Sequence, residues 1–173
     1  MNLTINPTIE KADLFNQIAS ELSKLGLSIS VQDQTRPWGG FFVLEESQAT
    51  EFAARYFPQL EMSEIQITNK LSPKILVVSP DKRLSWQYHF RRAEIWKVIA
   101  GTTVGVKVSD NDDEPEEIQV LESGSFIQLN KGERHRLIGL NGWGVVAEIW
   151  QHTNSEQPSD EEDIVRLQDD FGR

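Results

Sequence analysis

Three histidines, His89, His135 and His152, are the whole supply of imidazole in this chain, and there is no cysteine. Disulfide frameworks, thiolate zinc sites, thiol nucleophiles and iron–sulfur ligation are therefore excluded, and any transition-metal site must combine imidazole with carboxylate or amide oxygen. In the segment LSWQYHFRRAEIWKVIAG, Gln87 and His89 stand two apart, which on a strand points both to one face. A strand, a short turn and a second strand would bring Glu94 to the same place, with Trp96 and Val98 continuing its inward face. Beyond a turn with the chemistry of ESGS (Glu122 to Ser125, Gly124 the permissive residue), His135 opens another strand in GERHRLIG. Two imidazoles, a carboxylate and an amide oxygen suit a borderline divalent ion such as zinc, with positions left open for substrate or water. A lone strand histidine is more often structural, so the spacing by itself leaves both alternatives standing.

The elements that must position these residues follow from periodicity. Asn6-Pro7 and the following TIEKADLFNQIASELSKLG predict a helix with Pro7 in its first turn, Ile9, Leu14, Ile18, Leu22 and Leu25 on one face, and Gly26 as the stop. LSISV alternates as a strand, and SQATEFAARYF predicts one further short helix ended by Pro58. From Ile65 onward come short apolar segments separated by Gly, Pro, Asn and Asp: IQI, PKILVVS, LSWQYHF, EIWKVIAG, TTVGVKV, EIQVLE, SFIQLN, HRLIGL and WGVVAEIWQ. This pattern indicates a β-sandwich or barrel rather than βαβ units. The acidic run Asp110 to Glu117 lacks EF-hand ligand spacing and predicts a solvated hairpin loop. DIVRLQDDFGR closes the chain with apolar residues among charges, which predicts docking on the body.

With 173 residues the chain has the size of one domain. Its 17 Lys+Arg against 27 Asp+Glu, a formal charge of −10, argue against a nucleic-acid or anionic-membrane partner, since such binding rests on a basic surface. No apolar run approaches the roughly 20 residues a bilayer helix needs, and the N-terminus lacks a basic segment followed by an apolar one. A cytoplasmic protein is the expectation.

Gln87-x-His89-x4-Glu94-x6-Gly101 resembles the first cupin motif, with Gln in the first His slot, and Gly124-x5-Asn130-x-Gly132-x2-His135 resembles the second, with Asn130 in place of the usual Pro. More narrowly, RPWGGF (Arg36 to Phe41), the stretch from Pro73 to Thr102, GERHRL (Gly132 to Leu137) and EEDIVRLQDDFGR (Glu161 to Arg173) are similar to type II phosphomannose isomerases, in which this cupin often forms the C-terminal domain of a mannose-1-phosphate guanylyltransferase. The resemblance implies a mainly β fold, a cupin double-stranded β-helix (jelly-roll barrel) over residues 36–173, preceded by an N-terminal helix-and-strand extension over 1–35. It also implies a divalent metal, zinc first and manganese, cobalt, nickel or iron as alternatives, on Gln87, His89, Glu94 and His135. Where the family commonly carries further histidines, this chain has Phe90, Arg91 and Ile95. Nothing before Arg36 resembles a nucleotidyltransferase, so guanylyltransferase activity is not expected of this sequence.

The activity so implied is interconversion of mannose 6-phosphate and fructose 6-phosphate through a cis-enediol, in carbohydrate or polysaccharide precursor metabolism. A metal would stabilise the enediolate, and a base near neutral pKa must reach the carbon-bound proton. Glu148, Lys74 and His152 are the candidates, with Glu148 favoured because VVAEIWQ could aim it inward; its structural alternative is a buried ion pair with an arginine. Arg92, Arg136, Arg166 and Arg173 are the forks available for phosphate, and Trp38 and Trp96 could line the sugar pocket. Trp86, Tyr88 and Phe90 alternate to the opposite face. The alternative function is a non-catalytic sugar- or sugar-phosphate-binding cupin, and a metal-dependent oxygenase is a third. Apolar outer positions make a homodimer the expected assembly.

Overall fold

The computed structural model describes residues 3–172. Two antiparallel sheets face one another as a jelly roll. The six-stranded sheet contains β1 (Ile29–Asp33), β2 (Gly39–Leu44), β3 (Lys74–Val78), β5 (Arg92–Gly101), β8 (Phe126–Leu129) and β10 (Gly144–His152), in the order β1-β2-β3-β10-β5-β8. The five-stranded sheet orders β11 (Ile164–Gln168), β4 (Trp86–His89), β9 (Arg134–Gly139), β6 (Val104–Ser109) and β7 (Gln119–Leu121). Period-2 alternation divides the apolar residues between two cores. Leu76, Val78, Trp96, Val98, Val106, Leu137 and Val146 fill the space between the sheets, while Ile75, Val77, Ile95, Val145, Ala147 and Ile149 face outward beneath the helices.

That outer face is covered by α1 (Lys11–Lys24), which buries Leu14, Phe15, Ile18 and Leu22, and by α2 (Ala49–Tyr56), which buries Phe52 and Tyr56. Residues of the N-terminal extension therefore belong to the same apolar cluster as β3, β5 and β10. One consequence is that the central strands β3, β10 and β5 are covered on their outer face, which fixes the strands whose inner face carries Lys74, Glu148 and Glu94.

Three local expectations are corrected. Pro7 lies outside α1, because Asn6 builds a turn instead: its side chain accepts from the Thr8 N–H at 3.0 Å and its carbonyl from the Ile9 N–H. The alternation of LSISV is broken by a register shift between Ile29 and Val31 on an edge strand, leaving Val31 50% exposed. IQI is no strand: Ile65 closes a third helix, α3 (Met62–Ile65), whose ends are fixed by a reciprocal capping box between Glu61 and Glu64. The acidic run joining β6 to β7 is the solvated hairpin loop expected, with Asp110 to Asp113, Glu116 and Glu117 exposed, and it is pinned to the sheet at two residues. Asp112 accepts from Arg134 and from the Trp86 indole through its carbonyl, and Glu114 pairs with Arg136 at 2.8 Å and Lys107 at 3.2 Å, so this loop lies over the outer face of the five-stranded sheet.

The docking expected of the tail is realised as β11, which pairs with β4. Its register sets Arg166 opposite Gln87 and Ile164 opposite His89, making the tail one wall of the barrel.

Candidate metal centre and its cavity

Strand register assembles the site. Gln87 on β4 lies across from His135 on β9. On the facing sheet, Lys74, Glu148 and Trp96 form one row across β3, β10 and β5, and Glu94 pairs with Trp150 in the next. The turns that hold these strands demand glycine in places. Gly101 ends β5 at φ +86°, where a Cβ would collide with the Trp143 carbonyl. Gly132, at φ +83°, turns its N–H onto the His89 carbonyl at 2.9 Å and so links the approach to His135 with the other imidazole strand.

His89, Glu94 and His135 are buried and offer ligand atoms that all lie within 4.8 Å of one another. His89 Nε2 is 3.1 Å from Glu94 Oε1, and His135 Nε2 is 3.4 Å from Glu94 Oε2. His135 Nδ1 stands 2.9 Å from the Glu133 carbonyl, which fixes its proton on Nδ1 and leaves a lone pair on Nε2. That Nε2 and Glu94 Oε2 are both buried with no hydrogen-bond partner among the described residues. Two acceptors so placed repel unless a cation or a proton lies between them, and a borderline divalent ion fits this donor set. These three residues could hold a metal ion. Gln87, the fourth expected ligand, is buried beside them with its Oε1 accepting from Ser85 Oγ at 2.6 Å.

Arg92 organises the cluster from behind. Its Nε donates to Glu94 Oε1 at 2.7 Å, Nη2 lies 3.2 Å from His89 Nε2, Nη1 donates to Ser159 Oγ at 2.8 Å, and the guanidinium stacks 3.5 Å above the Trp150 ring. Burial opposes ionisation of Glu94, but His89 first and then Arg92 outweigh it and hold the carboxyl well below the usual range. Burial likewise pushes His89 down to about 4, so this imidazole faces the carboxylate as a neutral donor of an electron pair.

A cavity of about 570 Å3, including its open mouth, lies against this cluster. Trp38, Phe41, Leu76, Leu84 and Trp96 form apolar wall; Arg36, Lys74, Arg166 and Glu161 supply charge; Gln87, Arg92, Glu94 and Glu148 form the polar floor. Glu148 is buried, and its Oε1 accepts from the Trp96 indole at 2.9 Å, so its partner is an indole rather than an arginine. Burial first, and the Glu94 carboxylate second, push it up to about 8. Lys74 is committed to an ion pair with Glu161 at 3.0 Å, its ammonium 3.5 Å above the Trp150 ring. Trp38 Nε1 is buried without a partner among the described residues, a donor left for a ligand.

Several expected site residues are placed elsewhere. Arg136 follows His135 by one position and so points to the opposite face, where it pairs with Glu114; it does not line the cavity. His152 sits at the end of β10 outside the cavity, with Nδ1 accepting from the Ser159 N–H at 3.0 Å and Nε2 at 2.9 Å from Ser72 Oγ, leaving no nitrogen for a substrate. Arg92 reaches the cavity, but mainly as a buried partner of Glu94 and Ser159. Arg166, Trp38 and Trp96 do line it, and Arg173 lies outside the described residues. Phe90 is 62% exposed, Arg91 pairs with Asp160 and Asp163, and Ile95 is in the outer core. An imidazole at any of those three positions would not enter the cavity of this chain.

Arg36, Trp150, Ser159, Glu161 and Asp163 were not singled out individually. Arg36 and the two acids stand within the quoted family-like segments, and Trp150 shares the parity of Glu148; nothing in the local pattern marks Ser159.

Comparison with known proteins agrees with this geometry. The chain is 31% identical over 127 residues to the xanthan biosynthesis protein XanB of Xanthomonas campestris pv. campestris (strain B100), covering 73% of this chain and 25% of that protein. It is 30% identical over 118 residues to the mannose-1-phosphate guanylyltransferase of Escherichia coli (strain K12), covering 68% of this chain and 23% of that one. The chain thus spans about a quarter of the length of these relatives. Its fold is similar to the structure of KdgF from Halomonas sp., a cupin, with TM-score 0.51 and 11% identity over 76% of this chain and 91% of that one. The model of the family described as mannose-6-phosphate isomerase C-terminal matches residues 45–169, a stretch that contains the His89, Glu94 and His135 cluster and all of the cavity lining except Arg36, Trp38 and Phe41, and the chain belongs to that family.

Proposed function

We propose that this protein is a metal-dependent sugar-phosphate isomerase that interconverts mannose 6-phosphate and fructose 6-phosphate. The observation that carries the reading is Glu148: a buried carboxyl, outside the candidate ligand set, that lines the same cavity as Glu94, the carboxylate of the His-Glu-His cluster. Aldose–ketose isomerisation needs such a group to take a proton from one carbon and return it to the next. Among the three candidate bases, His152 has both nitrogens engaged away from the cavity and Lys74 is engaged by Glu161 at 3.0 Å. Glu148 remains, oriented by the Trp96 indole.

In this reading Gln87, His89, Glu94 and His135 hold a divalent ion, zinc first, which when bound supplies Lewis-acid polarisation of the sugar carbonyl. Arg92 keeps Glu94 ionised and its Oε1 aligned. Glu148 moves the proton between C1 and C2. Lys74, Arg166 and Arg36 at the mouth receive the phosphate, where a guanidinium fork and an ammonium supply complementary contacts. Trp38, Trp96 and Phe41 exclude water and pack against the apolar face of the sugar. A homodimer belongs to the same proposal.

The non-catalytic alternative has one observation on its side. Among the described residues no imidazole lines the cavity, so a proton relay would have to run through carboxylate alone. A coupled assay for conversion of mannose 6-phosphate to fructose 6-phosphate by protein loaded with zinc, manganese or cobalt separates the two. Turnover is expected; its absence with metal bound overturns the isomerase and leaves a sugar-phosphate-binding cupin.

A further inference from the structure

Glu161 lines the cavity yet belongs to neither the ligand cluster nor the proton-transfer floor. It sits on the three-residue turn Glu161–Asp163 that leads into β11. The backbone of this turn is pinned: the Asp163 carboxylate accepts from the N–H groups of Phe90 and Arg91 and from Ser159 Oγ, and Asp160 accepts from the Glu162 N–H and from Arg91. The Glu161 side chain is different. Its hydrogen-bond partner is Lys74, and it is 64% exposed where the Lys74 side chain is 9% exposed.

The pair is therefore unequal. Lys74 cannot leave, since its stem is buried in β3 and its ammonium lies over the Trp150 ring; Glu161 can turn into solvent by side-chain rotation on a fixed turn. Burial opposes the charge of Glu161, and Lys74 first, then Arg92 and Arg166, outweigh it and keep the carboxyl below its usual range. These three cations all stand on the cavity, so the Glu161 carboxylate occupies the position that the charges around it would offer to any incoming anion.

We propose that Glu161 is an intramolecular anion stand-in, displaced from Lys74 by the phosphate group of the bound sugar phosphate, and that it sets the threshold affinity of the cavity for anions. The inference rests on the reading of this cavity as a sugar-phosphate site and adds to it which cation the phosphate meets and which side chain must move. No bond is made or broken; one exposed carboxylate is exchanged for a phosphate oxygen on a buried ammonium.

Calorimetric titration with inorganic phosphate, at fixed ionic strength and equal metal loading, tests it on the parent, Glu161→Gln and Lys74→Met proteins. Removing the competing charge is expected to tighten phosphate binding by about two- to tenfold, the scale of a partly exposed ion pair. Lys74→Met is expected to lose phosphate binding, and in its background Glu161→Gln should change nothing. Equal or weaker binding by Glu161→Gln overturns the proposal, as does absence of phosphate binding to both. Should Lys74→Met fail to fold, the comparison of the parent with Glu161→Gln, an exposed and isosteric change, decides alone. The isomerase assay on the same preparations judges the underlying reading separately. Turnover with unaltered phosphate affinity removes Glu161's role and keeps the enzyme; tightened phosphate affinity without turnover does the reverse.

Discussion

His135 Nε2 and Glu94 Oε2 face each other at 3.4 Å, both buried and neither hydrogen-bonded, while the far nitrogen of the same imidazole is tied to the Glu133 carbonyl. The tie removes the tautomer that would have let the ring donate to the carboxylate. A cation between them would relieve the repulsion, and removing either partner should abolish its site. His135→Ala and Glu94→Ala are each expected to purify without stoichiometric metal while remaining folded, as read by elemental analysis alongside circular dichroism. For the parent, metal at a hundredfold excess over its dissociation constant should stabilise by about 2.7 kcal/mol, and a chelator should reverse it.

Arg92 carries a full charge at 1% exposure, and its partners Glu94, Ser159 and His89 are themselves buried. Breaking such a pair from one side leaves the other charge uncompensated, which costs about 3–5 kcal/mol. Arg92→Met is therefore expected to lose stability of that order in urea unfolding and to weaken metal binding. Arg92→Lys should recover much of the stability but little of the metal affinity, because one ammonium cannot address Glu94, Ser159 and the Trp150 ring together.

The parts of this site that were legible in the sequence are those governed by strand alternation. Gln87 and His89 share parity, as do Arg92, Glu94 and Trp96, and in each case the structure sets them on one face. Arg136 fails by the same rule that places His135, since adjacent strand residues cannot share a face; its partner Glu114 lies in the solvated β6–β7 loop, where no periodicity signals the pair. His152 has the parity of Glu148 and Trp150, yet the strand ends there and the imidazole is captured by Ser72 and Ser159, a contact across 80 residues that no local pattern encodes. Glu161 sits on a turn, where no period applies. The helices divide likewise: α1 and α2 were visible in their apolar stripes, whereas α3 is signalled by the Glu61–Glu64 capping box and not by periodicity.

His152 gives the fold a defined acid weakness. Burial first, and then the cations of Lys70, Arg92 and Lys74, lower its pKa from 6.5 to about 4. The unfolded chain thus binds the proton more readily than the folded one over that interval, and stability must fall as pH is lowered through it. The contribution is complete above pH 6.5, is lost progressively down to about pH 4, and amounts to no more than about 3 kcal/mol. His152→Gln keeps a buried donor and acceptor but cannot titrate. Its denaturation midpoint should depend less steeply on pH than the parent's between pH 6.5 and 4, with metal content held constant; an unchanged slope removes the assignment.

Glu148 should separate metal retention from turnover. Its Oε1 is held by the Trp96 indole and it stands one row from Glu94 across the β5–β10 register, so it shares the cavity with the ligand cluster without belonging to it. Glu148→Gln preserves shape and the indole contact through the amide oxygen, and is expected to retain metal while losing at least about a hundredfold in turnover, the contribution typical of a positioned base. A carboxyl pushed up to about 8 by burial and by the Glu94 charge must be ionised to accept a proton, so the parent's rate should rise with pH along a limb set by this group. The sign follows from the role: a base gains activity as it deprotonates. A divalent ion on Glu94 offsets the second cause of the shift but not the first, which sets the limb of the metal-loaded protein below 8 and above the ordinary carboxyl value of 4.5. Trp96→Phe should move that limb upward, since loss of the indole donor removes one of the contacts that favour the ionised form.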